Sequence, residues 1–125
     1  MSQPIVYIDT SEIRGRKLEE LKMAVSDLAD FVEANVPQLL SYGFFLNEDQ
    51  SRITVAAIHP DSASIEHHMD VCGDEFRKFA DLIKLVKIDV YGHVSDSVLE
   101  RLHQKARMLG DGTVTVHGLC AGFAR

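Results

Sequence analysis

Residues 39–59 read LLSYGFFLNEDQSRITVAAIH, two runs rich in aromatic and β-branched residues with a short polar segment between them. The runs at 39–47 and 52–59 are typical of β-strands. A connection as short as EDQS joins strands that pair antiparallel, so the segment predicts a β-hairpin. The dipeptide His59-Pro60 predicts the end of the second strand.

An amphipathic helix is predicted on each side of this hairpin. Before it, apolar residues recur three and four apart between Arg16 and Asn35, as on one stripe of a helix of about five turns. After it, Asp61 or Ser62 can cap a second helix, and Gly73 in its middle is expected to bend or break it. The two stripes are Leu18, Leu21, Val25, Leu28 and Val32, and then Ile65, Met69, Cys72, Phe76, Phe79 and Ile83.

Strands are predicted outside both helices. Residues 4–10, PIVYIDT, are β-branched and aromatic, and residues 85–93, LVKIDVYGH, alternate with a period of two. The resulting order, β-α-β-β-α-β, is the ferredoxin-like arrangement, in which helices cover one face of an antiparallel sheet. The sequence therefore predicts an α+β protein.

A further helix and strand are predicted after this unit. Ser95 or Asp96 can cap the helix and Gly110 can close it. Residues 113–120, TVTVHGLC, are typical of a short last strand. The inward-facing residues of the helix are expected to be Val98, Leu102, Ala106 and Leu109.

The length and charge of the chain exclude several classes of protein. Its 125 residues have room for one domain, taken as residues 1–125. A formal net charge of −6 at pH 7 argues against a nucleic-acid or anionic-membrane binder, which would need a basic face. No apolar run approaches a membrane span, and the N-terminus lacks a secretory pattern. Cys72 and Cys120 are isolated thiols, so a cytoplasmic location is expected.

The sheet face that the helices leave uncovered is predicted to be polar and aromatic. Within residues 85–93, side chains suited to the helix face alternate with a set that points the other way. Thr115 and His117 of the last strand join that second set, whereas Val114 and Val116 point inward. The first set is Val86, Ile88 and Val90, and the second is Lys87, Asp89, Tyr91 and His93.

Such an open, mixed face favours association with a second copy of the chain. Two sheets packed face to face would enclose a space like a small-molecule pocket, with apolar walls and a few polar groups. A packed dimer core, or a solvated face without a pocket, is the alternative. In the hairpin, Tyr42 and Phe44 share one face, and His59 shares one with three apolar residues. The candidate ligand-binding residues are Tyr42, His59, Asp89, Tyr91, His93 and His117.

Four segments carry a resemblance to a known family. They are QLLSY at 38–42, SIEHH at 64–68, EFRKF at 75–79 and VKIDVYG at 86–92. Residues 38–92 resemble the dimeric α+β barrel superfamily, and most closely its antibiotic biosynthesis monooxygenase-like branch. In that block a helix-borne histidine is followed by a [HE]-F-[RK]-x-F stretch. Residues 95–120 are an addition to it.

The resemblance implies a homodimer whose two sheets form a barrel. The expected fold is thus a ferredoxin-like βαββαβ unit with an added C-terminal helix and strand, forming a dimeric α+β barrel. A ligand pocket is implied between each sheet and its helices or within the barrel. Members include cofactor-free oxygenases acting on polycyclic phenols and heme-degrading enzymes. The heme-degrading relatives use a Trp, which this chain lacks, and Glu75 stands where some relatives have a second histidine, so no cofactor is expected.

His67 lies at the position that resembles the family's helix histidine. The resemblance implies that it is a catalytic base, which suits an imidazole near neutral pH; a structural histidine is the alternative. Its neighbour His68 falls near the apolar stripe and is expected to pack. His59, His93 and His117 could bind zinc, but they match no compact metal motif, so no metal is expected.

Two functions remain open. The first is a cofactor-independent monooxygenase that oxidises a small hydrophobic or aromatic compound, with His67 as base and Tyr42 and Tyr91 positioning the substrate. The second is a non-catalytic homodimer that binds a small ligand or serves as a stress or accessory factor. Neither a nucleic acid nor a membrane is expected as a partner.

Overall fold

Five strands and three helices follow one another in the predicted order within residues 3–125. The computed structural model describes residues 3–125. The elements are β1 (Ile5–Ile13), α1 (Leu18–Asn35), β2 (Ser41–Leu46), β3 (Arg52–His59), α2 (Ser62–Arg77), β4 (Ile83–Tyr91), α3 (Asp96–Leu109) and β5 (Thr113–His117). Among the described residues, no helix combines the length and apolarity that a membrane crossing requires.

The strands form one sheet in the order β2-β3-β1-β4-β5. The first four pair antiparallel, as the ferredoxin-like arrangement requires, and β5 joins β4 in parallel. A parallel neighbour needs a crossover connection, and α3 supplies it. All three helices lie on one face of the sheet, where side chains of α1, α2 and α3 surround the same buried space above β1. The α+β, ferredoxin-like prediction with an added helix and strand is confirmed.

Local sequence signals set the ends of the helices. The Asp61 carboxylate accepts a hydrogen bond from the Ser64 amide at 2.9 Å, and the Ser95 hydroxyl accepts one from the Val98 amide at 3.2 Å. These contacts satisfy amide groups that the first turn of a helix leaves unpaired. The predicted inward stripe of α3 is buried throughout: Val98, Leu102, Ala106 and Leu109.

Gly73 was predicted to bend or break the second helix, and the predicted break is wrong. The α2 helix runs from Ser62 to Arg77 without interruption. A glycine inside a helix costs only about 1 kcal/mol relative to alanine, which the buried stripe on either side offsets. The stripe itself ends earlier than predicted, because Ile83 already belongs to β4.

The fourth strand contains a β-bulge that the alternation did not predict. Thr10 pairs with Lys87 and Ser11 with Leu85, so Val86 has no partner on β1. An extra residue shifts the alternation by one, and Leu85 rather than Val86 is fully buried against the helices. Beyond the bulge, Ile88 and Val90 point inward as predicted.

The two last predicted strands also end earlier than expected. Gly92 has φ +130°, a conformation that only glycine adopts readily, and it ends β4 at Tyr91. His93 therefore lies in the loop before α3 and not on the sheet. The last strand stops at His117, and Cys120 follows it in an exposed, irregular segment.

Three rows of side chains cross the face of the sheet that faces away from the helices. The pairing places them from β2 to β5; the first two rows are apolar on β3 and β1, the third has Thr54 and Thr10 there, and all three are polar or aromatic on β4 and β5. The rows are Ser41, Ile58, Val6, Tyr91 and His117; then Gly43, Ala56, Ile8, Asp89 and Thr115; then Phe45, Thr54, Thr10, Lys87 and Thr113. The predicted polar and aromatic set is thus confirmed for β4 and β5.

The turn between α3 and β5 offers a direct test of this packing. A Cβ on Gly112 would lie 2.9 Å from the carbonyl oxygens of both Leu85 and Val86. We expect Gly112→Ala to lower the free energy of unfolding by about 2 kcal/mol, as overpacking does elsewhere. Gly118→Ala is the matched control, because nothing lies within 4 Å of its Cβ. Urea unfolding of both variants measures the difference, and equal stability would contradict the placement of β5.

Candidate functional site

A buried polar cluster lies between the sheet and the helices. Tyr7 and Asp9 are on the inward face of β1 and are only 7% and 5% exposed. The Tyr7 hydroxyl donates to Asp9 Oδ2 at 2.6 Å. Lys105 of α3 donates from Nζ to Tyr7 Oη at 2.8 Å and to Asp9 Oδ2 at 3.2 Å. We call these three residues the Tyr7–Asp9–Lys105 cluster.

The surroundings of the cluster are mostly aromatic. The Lys105 Nζ lies 4.4 Å from the centre of the Phe76 ring and 5.0 Å from that of Tyr7. Burial, and secondarily the neighbouring Asp9 carboxylate, raises the pKa of Tyr7 well above its usual value. Tyr7 is therefore a protonated hydrogen-bond donor at neutral pH. Burying an ion pair is costly and adds little stability, so such pairs are frequent at functional sites.

Two small voids adjoin this cluster. One, of about 40 Å³, lies under α1 and α3 and is lined by Asp9, Ser11 and Lys105 among apolar side chains. The other, of about 20 Å³, lies beside Tyr7 and Tyr42. Since one water needs about 10–15 Å³ of such space, each void has room for one to a few waters.

Ser11 stands out on the wall of the larger void. It is 1% exposed, and its Oγ has no hydrogen-bond partner among the described residues. A buried hydroxyl without a partner costs about 1–3 kcal/mol. Its position therefore favours a polar atom, of a ligand or of water, within the void.

Two neutral imidazoles line the smaller void. The His59 and His68 ring centres lie 5.7 Å apart, and His68 also contacts the Tyr42 and Phe76 rings. Burial lowers the pKa of His59 to about 4. Burial, then the nearby Lys105 ammonium, lowers the pKa of His68 to about 3. His68 packs in the core as predicted.

Two further groups near these imidazoles are also uncharged at neutral pH. Burial raises the pKa of the Tyr42 hydroxyl, and burial followed by the Glu75 charge raises that of the Cys72 thiol to about 11. His59 Nδ1 shares a 2.8 Å hydrogen bond with Ser64 Oγ. The interior site thus offers one ion pair and several neutral donors and acceptors.

The structure divides the predicted ligand-binding residues between two faces of the sheet. Tyr42 and His59 face the helices, because they pair with Ala57 and Ile5 on the buried side. Asp89, Tyr91 and His117 lie on the open face, and His93 lies in a loop. The six residues do not form one site. For the same reason His59, His93 and His117 do not converge on a metal position, and no group of three ligands suited to a metal occurs among the described residues.

On the open face, Asp89, Tyr91 and His117 do meet. His117 Nε2 lies 3.0 Å from Asp89 Oδ1, and its ring stacks on that of Tyr91 with centres 4.4 Å apart. Lys87 Nζ lies 3.7 Å from the other Asp89 oxygen. The Asp89 carboxylate thus has partners from both β4 and β5 within one chain.

His67 lies on the side of α2 that faces the end of α1. Its Nε2 donates to the Asn35 carbonyl oxygen at 3.1 Å. It lines neither of the two voids. The catalytic role predicted for His67 stays a prediction.

The sequence did not lead to a prediction of four residues of this site: Tyr7, Asp9, Ser11 and Lys105. A signal was present, since Tyr7, Asp9 and Ser11 alternate with the same period as the buried Ile5 and so fall on the inward face of the first strand. Three polar residues in successive inward positions are uncommon in a strand that packs against helices. Lys105 follows the buried Leu102 by three positions, on the inward stripe of its helix.

Comparisons with known proteins define the class of fold. No family model matches the sequence, and no curated protein matches it. Among solved structures, MupZ from Pseudomonas fluorescens has a TM-score of 0.76 at 19% identity, over 100% of this chain and 91% of that chain. A Caulobacter crescentus CB15 protein, provisionally assigned as an antibiotic biosynthesis monooxygenase, has a TM-score of 0.65 at 20% identity, over 75% of this chain and 92% of that chain.

A third match is SnoaB, a cofactor-independent oxygenase from Streptomyces nogalater. Its TM-score is 0.63 at 10% identity, over 75% of this chain and 96% of that chain. The chain therefore shares the fold of these solved structures, which include a protein provisionally assigned as an antibiotic biosynthesis monooxygenase and a cofactor-independent oxygenase. The resemblance found in residues 38–92 is confirmed at the level of the fold.

The two buried imidazoles predict loss of stability in acid. The pKa values of His59 and His68 in the folded chain, about 4 and about 3, lie below the usual 6.5. Between pH 6.5 and these values, the unfolded chain therefore binds more protons than the folded chain. The free energy of unfolding is therefore expected to fall as pH drops from 6.5 to 4. We expect His68→Phe to reduce this loss by on the order of 2 kcal/mol.

Urea unfolding at several pH values between 4 and 7 measures the effect. His103→Gln is the matched control, because His103 is exposed on α3. A His68→Phe variant that loses as much stability in acid as the wild type would contradict the neutral, buried state of His68.

Proposed function

We propose that the protein is a cofactor-independent oxygenase of small, largely apolar phenolic compounds, which bind at the Tyr7–Asp9–Lys105 cluster. The observation that carries the proposal is this buried ion pair beside two voids, with the partnerless Ser11 hydroxyl on the wall of the larger one. SnoaB shares the fold and is a cofactor-independent oxygenase, and this supports the reaction class. A cytoplasmic location and a single domain remain part of the same proposal.

The chemistry needs a proton acceptor and a stabilised oxyanion. Asp9 accepts the proton of the phenol, and the Lys105 ammonium and Tyr7 hydroxyl hold the phenolate oxygen. The electron-rich ring then reacts with O₂ at carbon, and the resulting hydroperoxide loses water. A phenol and O₂ thus give a quinone and water, with all atoms balanced and no other oxidant consumed.

Apolar walls contribute to the reaction by excluding water. Phe76, Phe44 and Val55 lie around the voids, so charges there interact more strongly than in solvent. The neutral His59 and His68 add hydrogen-bonding groups without a second positive charge. A phenolate is therefore favoured only where its oxygen faces the Lys105 ammonium.

The second candidate is a non-catalytic protein that binds a small ligand at the same cluster. The small size of both voids favours it, because a substrate must displace side chains before it reaches Asp9. Binding of a phenol without O₂ uptake would support this candidate over the oxygenase.

Substitutions at the cluster test the oxygenase proposal. With 1-naphthol and larger polycyclic phenols as probes, we expect Asp9→Asn to lower the rate of O₂ uptake about 100-fold, the usual contribution of a general base. His67→Ala is the matched comparison, since His67 is bonded to the end of α1. An oxygen electrode and the absorbance of the quinone measure the reaction, and urea unfolding of each variant confirms that it folds.

The two variants also separate the candidate bases. Loss of O₂ uptake in His67→Ala, with Asp9→Asn fully active, would overturn the role of Asp9 and assign the base to His67. If the wild type binds polycyclic phenols but takes up no O₂ with any of them, the oxygenase proposal is wrong and the ligand-binding candidate is supported.

We further propose that the chain is a homodimer joined through the open face of the sheet. Val6, Ile8 and Ile58 form its apolar centre, and Ile58 and Tyr91 are 36% and 43% exposed in the single chain. An exposed apolar strip on a sheet favours a partner surface of the same kind. The internally satisfied Asp89 and His117 would border this contact.

Ile8→Lys tests the dimer, because it puts a charge at the centre of the open face. We expect this variant to sediment as a monomer, while the wild type sediments as a dimer at about 10 μM, a concentration well above the Kd of a stable interface. Met23→Lys is the matched control, because Met23 is 71% exposed on α1, on the other side of the molecule. A monomeric wild type, or a dimeric Ile8→Lys variant, would contradict this contact.

A further inference from the structure

A large groove between α2 and α3 adjoins both small voids. Its volume is about 520 Å³, against about 40 Å³ and 20 Å³ for the voids inside. Phe76 and Lys105 belong to the walls of all three spaces. These two side chains are therefore the partition between the groove and the interior site.

The partition consists of side chains that can rotate. Lys105 is held by hydrogen bonds and by contact with the Phe76 ring, and its side chain is 13% exposed. Met69, a third flexible side chain, also lines both the groove and the smaller void. Rotation of Phe76 would join the groove to the voids while Lys105 stays paired with Asp9.

Three cationic side chains line the groove: Arg77, Arg101 and Lys105. The carboxylates of Asp70 and Asp74 also line it, and Lys105 is paired with the interior Asp9. Arg101 Nη2 lies 2.6 Å from Asp70 Oδ1, and its Nη1 donates to the Glu66 carbonyl oxygen at 3.3 Å, so the guanidinium is held over the groove. Arg77 makes no ion pair with any carboxylate among residues 3–125.

Gly73 keeps the mouth of the groove open. A Cβ at this position would meet nothing within 4 Å, so no packing requirement explains a glycine inside α2. A glycine there costs helix stability relative to alanine. Its presence on the groove wall fits a position where a larger side chain would obstruct passage.

We propose that the α2–α3 groove is the entrance to the interior site and binds the anionic end of an otherwise apolar ligand. Arg101 and Arg77 hold a carboxylate or a comparable anion, and the ring at the other end passes Phe76 towards Asp9. The substrate class is thus an aromatic acid with a phenolic hydroxyl. The inference rests on the proposed function, since it assumes that the ring binds at the cluster.

Two fluorescent probes with the same ring system test the inference. They are 2-naphthol and 6-hydroxy-2-naphthoate, which differ by one carboxylate. The chain has no Trp, so naphthyl emission is free of tryptophan background. We expect the naphthoate to bind about tenfold more tightly, and Arg101→Gln to remove this preference without changing the Kd of 2-naphthol.

Stopped-flow measurements with 2-naphthol test the route. Gly73→Leu is expected to lower both the association and the dissociation rate constants about tenfold with little change in Kd, because a blocked entrance slows passage in both directions. Gly73→Ala is the matched control, and its rates should equal those of the wild type. Thermal unfolding of both variants, which replace glycine by better helix formers, confirms the fold.

The outcomes separate this inference from the proposed function. Equal affinity for both probes, or a Kd above about 1 mM for both, overturns the anionic subsite; unchanged rates in Gly73→Leu overturn the route. Val25→Phe, which fills the larger void, should abolish binding of 2-naphthol. If Val25→Phe abolishes binding while the groove variants have no effect, the interior site is supported and only the proposed role of the groove is wrong. If it leaves binding unchanged, the interior site itself is wrong.

Discussion

The ion pair between Lys105 and Asp9 joins the last helix of the chain to the central strand of the sheet. Asp9 lies on β1, which has a paired strand on each side, and Lys105 comes from α3, far along the chain. Neither charge can be buried alone, since an uncompensated charge in an apolar interior costs several kcal/mol. The position of α3 and the wall that Lys105 contributes to both voids depend on this contact.

The fold was predictable because its signals are local and periodic. The apolar stripe of α3 and the caps at Asp61 and Ser95 were predicted and are present, since each depends only on residues a few positions apart. The bulge at Val86 was not predictable, because it depends on how β4 pairs with β1. The helix also runs through Gly73, where the local cost of a glycine was outweighed by burial on either side.

The candidate site was less predictable, because it is assembled from segments that only the tertiary structure brings together. Alternation placed Asp89, Tyr91 and His117 correctly on the open face, since one strand's period settles that question. Alternation alone could not show which face of the sheet carries Tyr42 and His59, because that depends on the register of the hairpin against β1. Lys105 was overlooked for a different reason: on a helix wheel it passes for a solvated lysine, and only the position of Asp9 opposite reveals its role.

The crossover that adds β5 has a consequence for how chains of this fold diversify. The first six elements supply four strands of the sheet and two helices, and Tyr7, Asp9 and Ser11 all lie on β1 among them. The single cation of the site arrives on the appended segment. A change in this appended segment can alter the charge that faces Asp9 while the strand that carries Tyr7, Asp9 and Ser11 is unchanged. New chemistry can then arise through a change in α3, while the central strand β1 continues to supply the other polar residues of the site.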